Sequence, residues 1–592
     1  MIKRLLPFVR DHKLYAILAP LMVIVECICE LILPLLMANI IDVGILNGNM
    51  RAIAENAGLM LVLSLIAMTT GGLSAKFASF AAQGIGANLR KAQFDQICTF
   101  SFSNIDRFSS ASLITRLTND VTNIQNVIVM CLRILIRAVT MMIGALLAAF
   151  YIHASLAAII LIILPILAIC VGSLMYVCHP LFEIMQTKID ALNETVQENL
   201  VAIRVVKSYV RENYERAKFK KSNDDFTTAG LNAVLRIVLM QPIMMIGISL
   251  ATVLVLYFGG QAVLGLTLDV GKLQSLTQYI FQVLFSVMMV AMALLQYTRA
   301  QACMDRICEV LDTESNIADG TAVSVSDPAE AEKAARQGVK VLPAPRGQVE
   351  FRDVTFKYST GTGEDVLSHI SFTARPGQVV AVVGGTGVGK SSLVNLIPRF
   401  YDVSGGQVLL DGMDVRDYPL DELRRRVGMV LQNNVLFSGT IRENLMWGNE
   451  QATEAEIEQA ARNAQAYDFV SSFPQGFDTY MEQGGVNVSG GQKQRLCIAR
   501  AMLKKPAVLI LDDSTSAVDS TTEGLIRQSF RDNLKDTTVI LIAQRISSVR
   551  DADQIIILEN GAIGGIGTHE ELLASNPIYQ EIYKSQQEGV QE

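Results

Sequence analysis

From Ser155 to Cys178 the chain carries no charged residue. At 1.5 Å of rise per helical residue that stretch is long enough to cross the ~30 Å hydrocarbon core of a bilayer. Lipid offers the backbone no hydrogen bonds, so such a run must close its own as a helix. Further apolar runs occupy Ala57–Ala75, Ala138–Ile152, Ile237–Tyr257 and Leu273–Thr298, and the more polar Leu14–Ile41 makes six. They stop near Thr298. Composition agrees: 51% of the 592 residues are hydrophobic and only 18% charged, unlike an ordinary soluble protein.

Basic residues predict the orientation. Lys3, Arg4, Arg10 and Lys13 precede the first run, Arg90, Lys91, Arg107 and Arg116 follow the second, and Lys188–Lys221 is densely basic between the fourth and fifth. The opposite connections, Asp42–Asn56, His153–Ala154 and Phe258–Lys272, are short and nearly free of Lys and Arg. The basic faces are therefore expected in the cytoplasm, with both termini. Met1–Lys13 is amphipathic and leads straight into a full-length span, unlike a cleaved signal peptide. The long cytoplasmic connections Gln83–Asn126 and His179–Leu231 have a helical pattern and are expected to prolong the spans. A net charge of −7 provides no footprint for nucleic acid, so no such partner is expected. The nine cysteines lack metal or disulfide spacing and read as small apolar packing residues.

The second half changes character. Short β runs at Val349–Thr355, Val379–Val383, Val508–Leu511, Val539–Ile542 and Gln554–Leu558 alternate with helical stretches, the pattern of a soluble α/β domain. The expected organisation is a membrane domain over 1–312, a polar linker over 313–346 and an α/β P-loop domain over 347–592. The six membrane helices are placed at about 14–41, 54–82, 128–152, 155–178, 232–258 and 273–300.

Gly384-Gly385-Thr386-Gly387-Val388-Gly389-Lys390-Ser391-Ser392 directly follows a β run and opens a helix, which is the context of a Walker A phosphate loop. Glycines let backbone N–H groups approach phosphate oxygens, and the helix N-terminus adds positive potential. Lys390 is expected to reach the outer phosphates of ATP and Ser391 to hold Mg²⁺. Val508–Asp512 is a buried strand ending in a carboxylate, as a Walker B strand should.

Between these motifs lies Val488-Ser489-Gly490-Gly491-Gln492, which resembles the LSGGQ signature of the ATP-binding cassette superfamily. The order of motifs and the six preceding spans resemble an exporter half-transporter across essentially the whole chain. The resemblance implies that Tyr358 stacks on adenine, that Gln432 senses Mg²⁺ and contacts the membrane domain, and that Asp519, in Ser516–Asp519, crosses a dimer interface. Ser112–Asp120 and Ser208–Phe219 resemble the two cytoplasmic coupling segments. It further implies an integral protein of the cell membrane, bacterial inner membrane by analogy, in contact with lipid and moving a small molecule.

Three positions depart from the family pattern. Asp513 stands where the hydrolytic glutamate is expected, Gln544 replaces the switch histidine, and Met481–Gly485 replaces the usual VGERG. Aspartate is one methylene shorter than glutamate, and a general base must lie within ~2.6 to 3.2 Å of its proton. Glutamine bonds a phosphate oxygen but carries no positive charge. The family's nucleotide domains dimerise head to tail, each ATP lying between one phosphate loop and the opposite signature. The pattern therefore resembles the degenerate-site subunit of a heterodimeric multidrug exporter, its partner supplying glutamate and histidine. The alternative is a slowly hydrolysing homodimer that exports lipid or peptide.

Glu26 and Glu30 lie one helical turn apart in the first span and share a face. They are expected either to pair, with Arg133 and Arg137 of the third span as candidate partners, or to attract cationic substrates.

Overall fold

The structure is a computed structural model that describes residues 2–324, 338–358, 363–513 and 518–591. The chain divides into two compact units, Met1–Cys98 with Ala111–Asp312, and Thr99–Ser110 with Thr313–Glu592.

The first unit is helical. Among the described residues six helices are long and apolar enough to span a membrane: Arg4–Ile45, Met50–Cys98, Ser110–Ile152, Ala154–Val201, Glu212–Leu264 and Val270–Leu311. At 42 to 53 residues each exceeds what the hydrocarbon core requires, so the spans run on as helix beyond it. Pro20, Pro34, Pro165 and Pro180 sit inside the helices. Small side chains set the closest packing. Ala19, Ala78, Ala81, Ala82, Ala145 and Ala149 are fully buried, which lets helix axes approach as they do in lipid.

Charged groups on the first and third spans pair with each other. Arg137 bonds Glu26 through Nη1 and reaches both oxygens of Glu30 at 2.7 Å through Nη2. One guanidinium fork thus answers the two carboxylates that the first span presents on one face. Arg133 turns instead to the Ser74 hydroxyl, 3.1 Å away. Toward the opposite end, Asp42 accepts the Gly271 and Lys272 N–H groups at 2.6 and 3.2 Å, satisfying the first turn of the helix Val270–Leu311.

The second unit is α/β. Its main sheet has six strands in the spatial order Ala562–Gly567, Gln554–Glu559, Val379–Gly384, Thr538–Ile542, Val508–Asp512 and Val427–Val430, all parallel except the first. The four strands after the first that are Val/Ile/Leu-rich read as continuous apolar runs because both faces are covered, one by helices and the other by the second sheet with the helix Lys390–Asn395. A second, antiparallel sheet pairs Val349–Phe356 with Leu367–Ala374 and Gly405–Leu410, and Phe351 stacks on Phe372 at 4.7 Å between two of its strands.

Ser112–Asp120 belongs to the helical unit, where Arg116 donates to the Arg306 carbonyl and to Glu309, and Asp120 takes both guanidinium arms of Arg306. The segment that groups with the α/β domain is Thr99–Ser110. Its helix Phe102–Phe108 opens on a Ser101–Asn104 capping box, Phe102 stacks on Phe400 at 4.3 Å, and Tyr401 donates to Asp106 at 2.7 Å.

Candidate functional site

In an open parallel sheet the loops at the carboxyl ends of the strands converge, and this is where such folds bind ligands. Strand register places the candidate residues there. Ile542 pairs with Asp512 and with Val382, Val430 with Leu511, and Leu558 with Gly384. The phosphate loop, Asp512, Asp513, Gln544 and Gln432 therefore all emerge at one edge.

The loop Gly384–Gly389 leads into the helix Lys390–Asn395. Gly387 and Gly389 have φ of 82° and 94°, a region that side chains disfavour, and the turn needs them to aim N–H groups inward. Lys390 Nζ folds over the loop, donating to the Gly384 and Gly385 carbonyls at 2.9 and 2.5 Å. Partial burial lowers its pKa, opposed by the charges of Asp513 and Asp512. Ser391 Oγ donates to Asp512 Oδ1 at 3.0 Å. Burial raises the Asp512 pKa, and the Asp513 charge adds to the rise. A hydroxyl beside a buried carboxylate is the oxygen donor set that Mg²⁺ takes in phosphate-loop sites, so these residues fit the ion.

Asp513 has φ 47° and donates its N–H to the Ile542 carbonyl at 3.1 Å. Its Oδ2 accepts from Gln544 Nε2 at 2.8 Å. The two residues that replace glutamate and histidine are thus hydrogen-bonded to each other. Burial also raises the Asp513 pKa, while Lys390 and Gln544 pull it down.

Tyr358 is half-buried, its hydroxyl 2.8 Å from Ser392 Oγ, and its ring meets Phe356 and Tyr401 edge-on at 4.9 and 5.2 Å. Through Tyr401 the aromatic cluster continues to Phe102, 6.1 Å away.

The signature residues and Asp519 make local capping contacts. Ser489 caps the helix Gly490–Leu503 in a reciprocal box with Gln492 and is exposed with Gly490; Gly491 lies in its first turn. Asp519 caps Ser520–Asn533 by accepting from Thr522 N and Oγ1 at 2.9 and 2.7 Å. Ser516 and Ala517 lie outside the described residues. Gln432 is exposed. No hydrogen bond or ion pair among the described residues joins Ser489–Gln492 to the phosphate loop. Sequence reasoning missed Gln586, whose amide bonds the backbone on both sides of Arg545; nothing in its polar surroundings announces it.

Comparison with known proteins places the fold. The ABC transporter transmembrane region matches residues 16–287 and the ABC transporter domain residues 367–516. The chain belongs to the ABC transporter family, joining six membrane spans and an ATP-binding domain whose hydrolysis of ATP is coupled to transport. It is 36% identical to the uncharacterized ABC transporter ATP-binding protein YfiB of Bacillus subtilis (strain 168), over 99% of this chain and 98% of that one. It is 34% identical to the fatty acid ABC transporter ATP-binding/permease protein of Mycobacterium tuberculosis (strain CDC 1551 / Oshkosh), over 90% and 82%. Its fold matches a bacterial Atm1-family ABC exporter with ATP bound, at a TM-score of 0.78 and 24% identity over 98% of each chain.

Proposed function

We propose that this chain is one subunit of a heterodimeric exporter of lipophilic or amphipathic small molecules, and that its own phosphate loop forms the less active of two ATP sites. The contact between Asp513 and Gln544 carries the reading. A carboxylate engaged by an amide donor at 2.8 Å is a shortened base already occupied by the residue at the switch position. In this reading Lys390 and the loop N–H groups hold the phosphates, Ser391 and Asp512 hold Mg²⁺ with Gln432, Tyr358 stacks on adenine, and Asp519 faces the partner. Ser489–Gln492, at the exposed head of its helix, completes the partner's site, where a glutamate and a histidine supply the chemistry. ATP drives export through its higher affinity for the closed dimer, and hydrolysis resets it.

Two observations support a lipophilic cargo. A cavity of about 420 Å³ in the helical unit is lined by Met244, Met245, Phe281, Phe285 and Met288, and flexible thioethers adapt to varied apolar shapes. The fatty acid transporter above is a relative of this chain. Drugs, lipids and fatty acids share that chemistry.

The test is steady-state ATPase activity of three variants in the native complex. Ser489→Arg obstructs the competent site and should nearly abolish turnover. Asp513→Asn should cost far less than the ~10² to 10⁴ that a working base contributes. Lys390→Ala should fall between, weakening retained nucleotide more than chemistry. Should Asp513→Asn match Ser489→Arg, the roles of the two sites are reversed. Mass spectrometry of the chain purified from its native membrane should find a second half-transporter in equal amount; vigorous ATPase from the chain alone refutes the heterodimer.

A further inference from the structure

The helix Pro577–Gln591 ends the described chain. It is seated firmly: Tyr579 is fully buried and bonds His569 Nδ1 at 2.7 Å, while Ile578, Ile582 and Tyr583 pack on the core beneath the main sheet. Two turns further on, Gln586 reaches the segment after the strand Thr538–Ile542. Its Nε2 donates to the Gln544 carbonyl at 2.8 Å, and its Oε1 accepts the Ile546 N–H at 2.8 Å. Ile546 opens the short helix Ile546–Val549, and Arg545, at the capping position, offers no side-chain acceptor. Gln586 supplies it from another helix.

A primary amide donates and accepts from one planar group, so a single side chain can hold a carbonyl and an N–H two residues apart. Glutamate keeps only the acceptor. The backbone so held carries Gln544, whose own amide bonds Asp513. An unbroken series of hydrogen bonds therefore runs from the terminal helix to the carboxylate beside Asp512.

We infer that Gln586 is a positioning residue for this chain's ATP site, holding the switch segment so that Gln544 stays over Asp513 and beside the phosphates. The inference rests on the reading above only in placing ATP at this phosphate loop; it holds whether or not the site hydrolyses.

The experiment uses the full-length chain with the subunits that accompany it from the membrane. After loading with radiolabelled 8-azido-ATP and Mg²⁺ and a chase with unlabelled ATP, photolabelling of this chain reports nucleotide retained at its own site. Gln586→Ala should speed release about fivefold, the factor that one lost hydrogen bond is worth. Gln586→Glu should fall between it and wild type. Gln544→Ala should give a similar change, and the double variant no more than either single one, because Gln586 acts through Gln544. The control is Gln580→Ala. It frees the same helix from the Leu573 carbonyl, 2.8 Å from Gln580 Nε2, without touching the switch segment, and should release at the wild-type rate. Wild-type release from Gln586→Ala, an equal effect of Gln580→Ala, or additivity in the double variant overturns the inference. Unchanged labelling in Lys390→Ala would instead refute ATP binding at this loop.

Discussion

Asp512 and Asp513 are neighbours with different surroundings. Asp512 is 5% exposed at the end of its strand, with the Ser391 hydroxyl as partner, while Asp513 turns into a left-handed conformation and meets Gln544. Their pKa values both rise, burial being the main cause. Mg²⁺ requires the ionised carboxylate, and a raised pKa means protonation competes at a higher pH than for an ordinary aspartate. On acidification, Mg²⁺-dependent ATP binding should therefore weaken at a higher pH than an ordinary aspartate would dictate. The folded apo state holds this proton more tightly than the unfolded chain, so the stability lost by burying an ionised Asp512 is regained as pH falls through the raised pKa toward the ordinary aspartate range. A pH profile of ATP binding with Mg²⁺ checks the first point, and Asp512→Asn should flatten it. The Walker motifs and the two replacements were readable as residues because phosphate chemistry demands particular side chains at fixed spacing. That Asp513 and Gln544 bond each other was not, since their contact is set by the pairing of two strands whose loops lie 31 positions apart.

The helix Phe102–Phe108 shows how an element's role differs from its polarity. Arg116 and Asp120 of the Ser112–Asp120 stretch pair with Glu309 and Arg306 inside the helical unit. Phe102 places a ring on Phe400, and Tyr401 donates to Asp106 while lying edge-on to Tyr358. The ring next to the adenine candidate is thus shared with an element from between the spans. Phe102→Ala removes a stacked pair worth roughly 1 kcal/mol beyond its buried area. The expected outcome is ATPase activity that persists but no longer responds to transported substrate, measured by comparing basal and substrate-stimulated turnover. Asp106→Asn, which keeps an acceptor for the Tyr401 hydroxyl but removes its charge, should give the milder form of the same defect.

At the scale of the whole molecule, the spans are assembled by small-residue packing and by a few satisfied charges. Arg137 serves both Glu26 and Glu30, and Glu26 also lies 3.0 Å from where a side chain at Gly71 would begin. The site is filled by the pairing, which favours a structural role over attraction of cations. Removing one partner of this half-buried ion pair leaves the remaining charges uncompensated, which destabilises more than the loss of an exposed pair. Arg137→Leu should therefore lower the thermal midpoint of the purified transporter sharply. Adding Glu26→Gln and Glu30→Gln to an Arg137→Gln background should recover most of the loss, since no charge then remains to be answered. If Glu26→Gln with Glu30→Gln alone abolishes transport of cations while the midpoint holds, the carboxylates serve the cargo instead.

What this sequence determines unaided follows from requirements that are local. A bilayer's thickness demands long apolar runs, so six spans were legible; a phosphate loop demands glycines, lysine and serine in order, so the strand–loop–helix of Gly384–Ser392 was legible too. What the tertiary structure decided are the pairings between distant segments: Arg137 rather than Arg133 on the two glutamates, Phe102 on Phe400, and Gln586 on the switch segment. Each depends on which faces of packed helices and strands meet. A hydrogen bond needs its atoms within about 3 Å and aligned, and side-chain identity alone does not say which of several equivalent donors will arrive there.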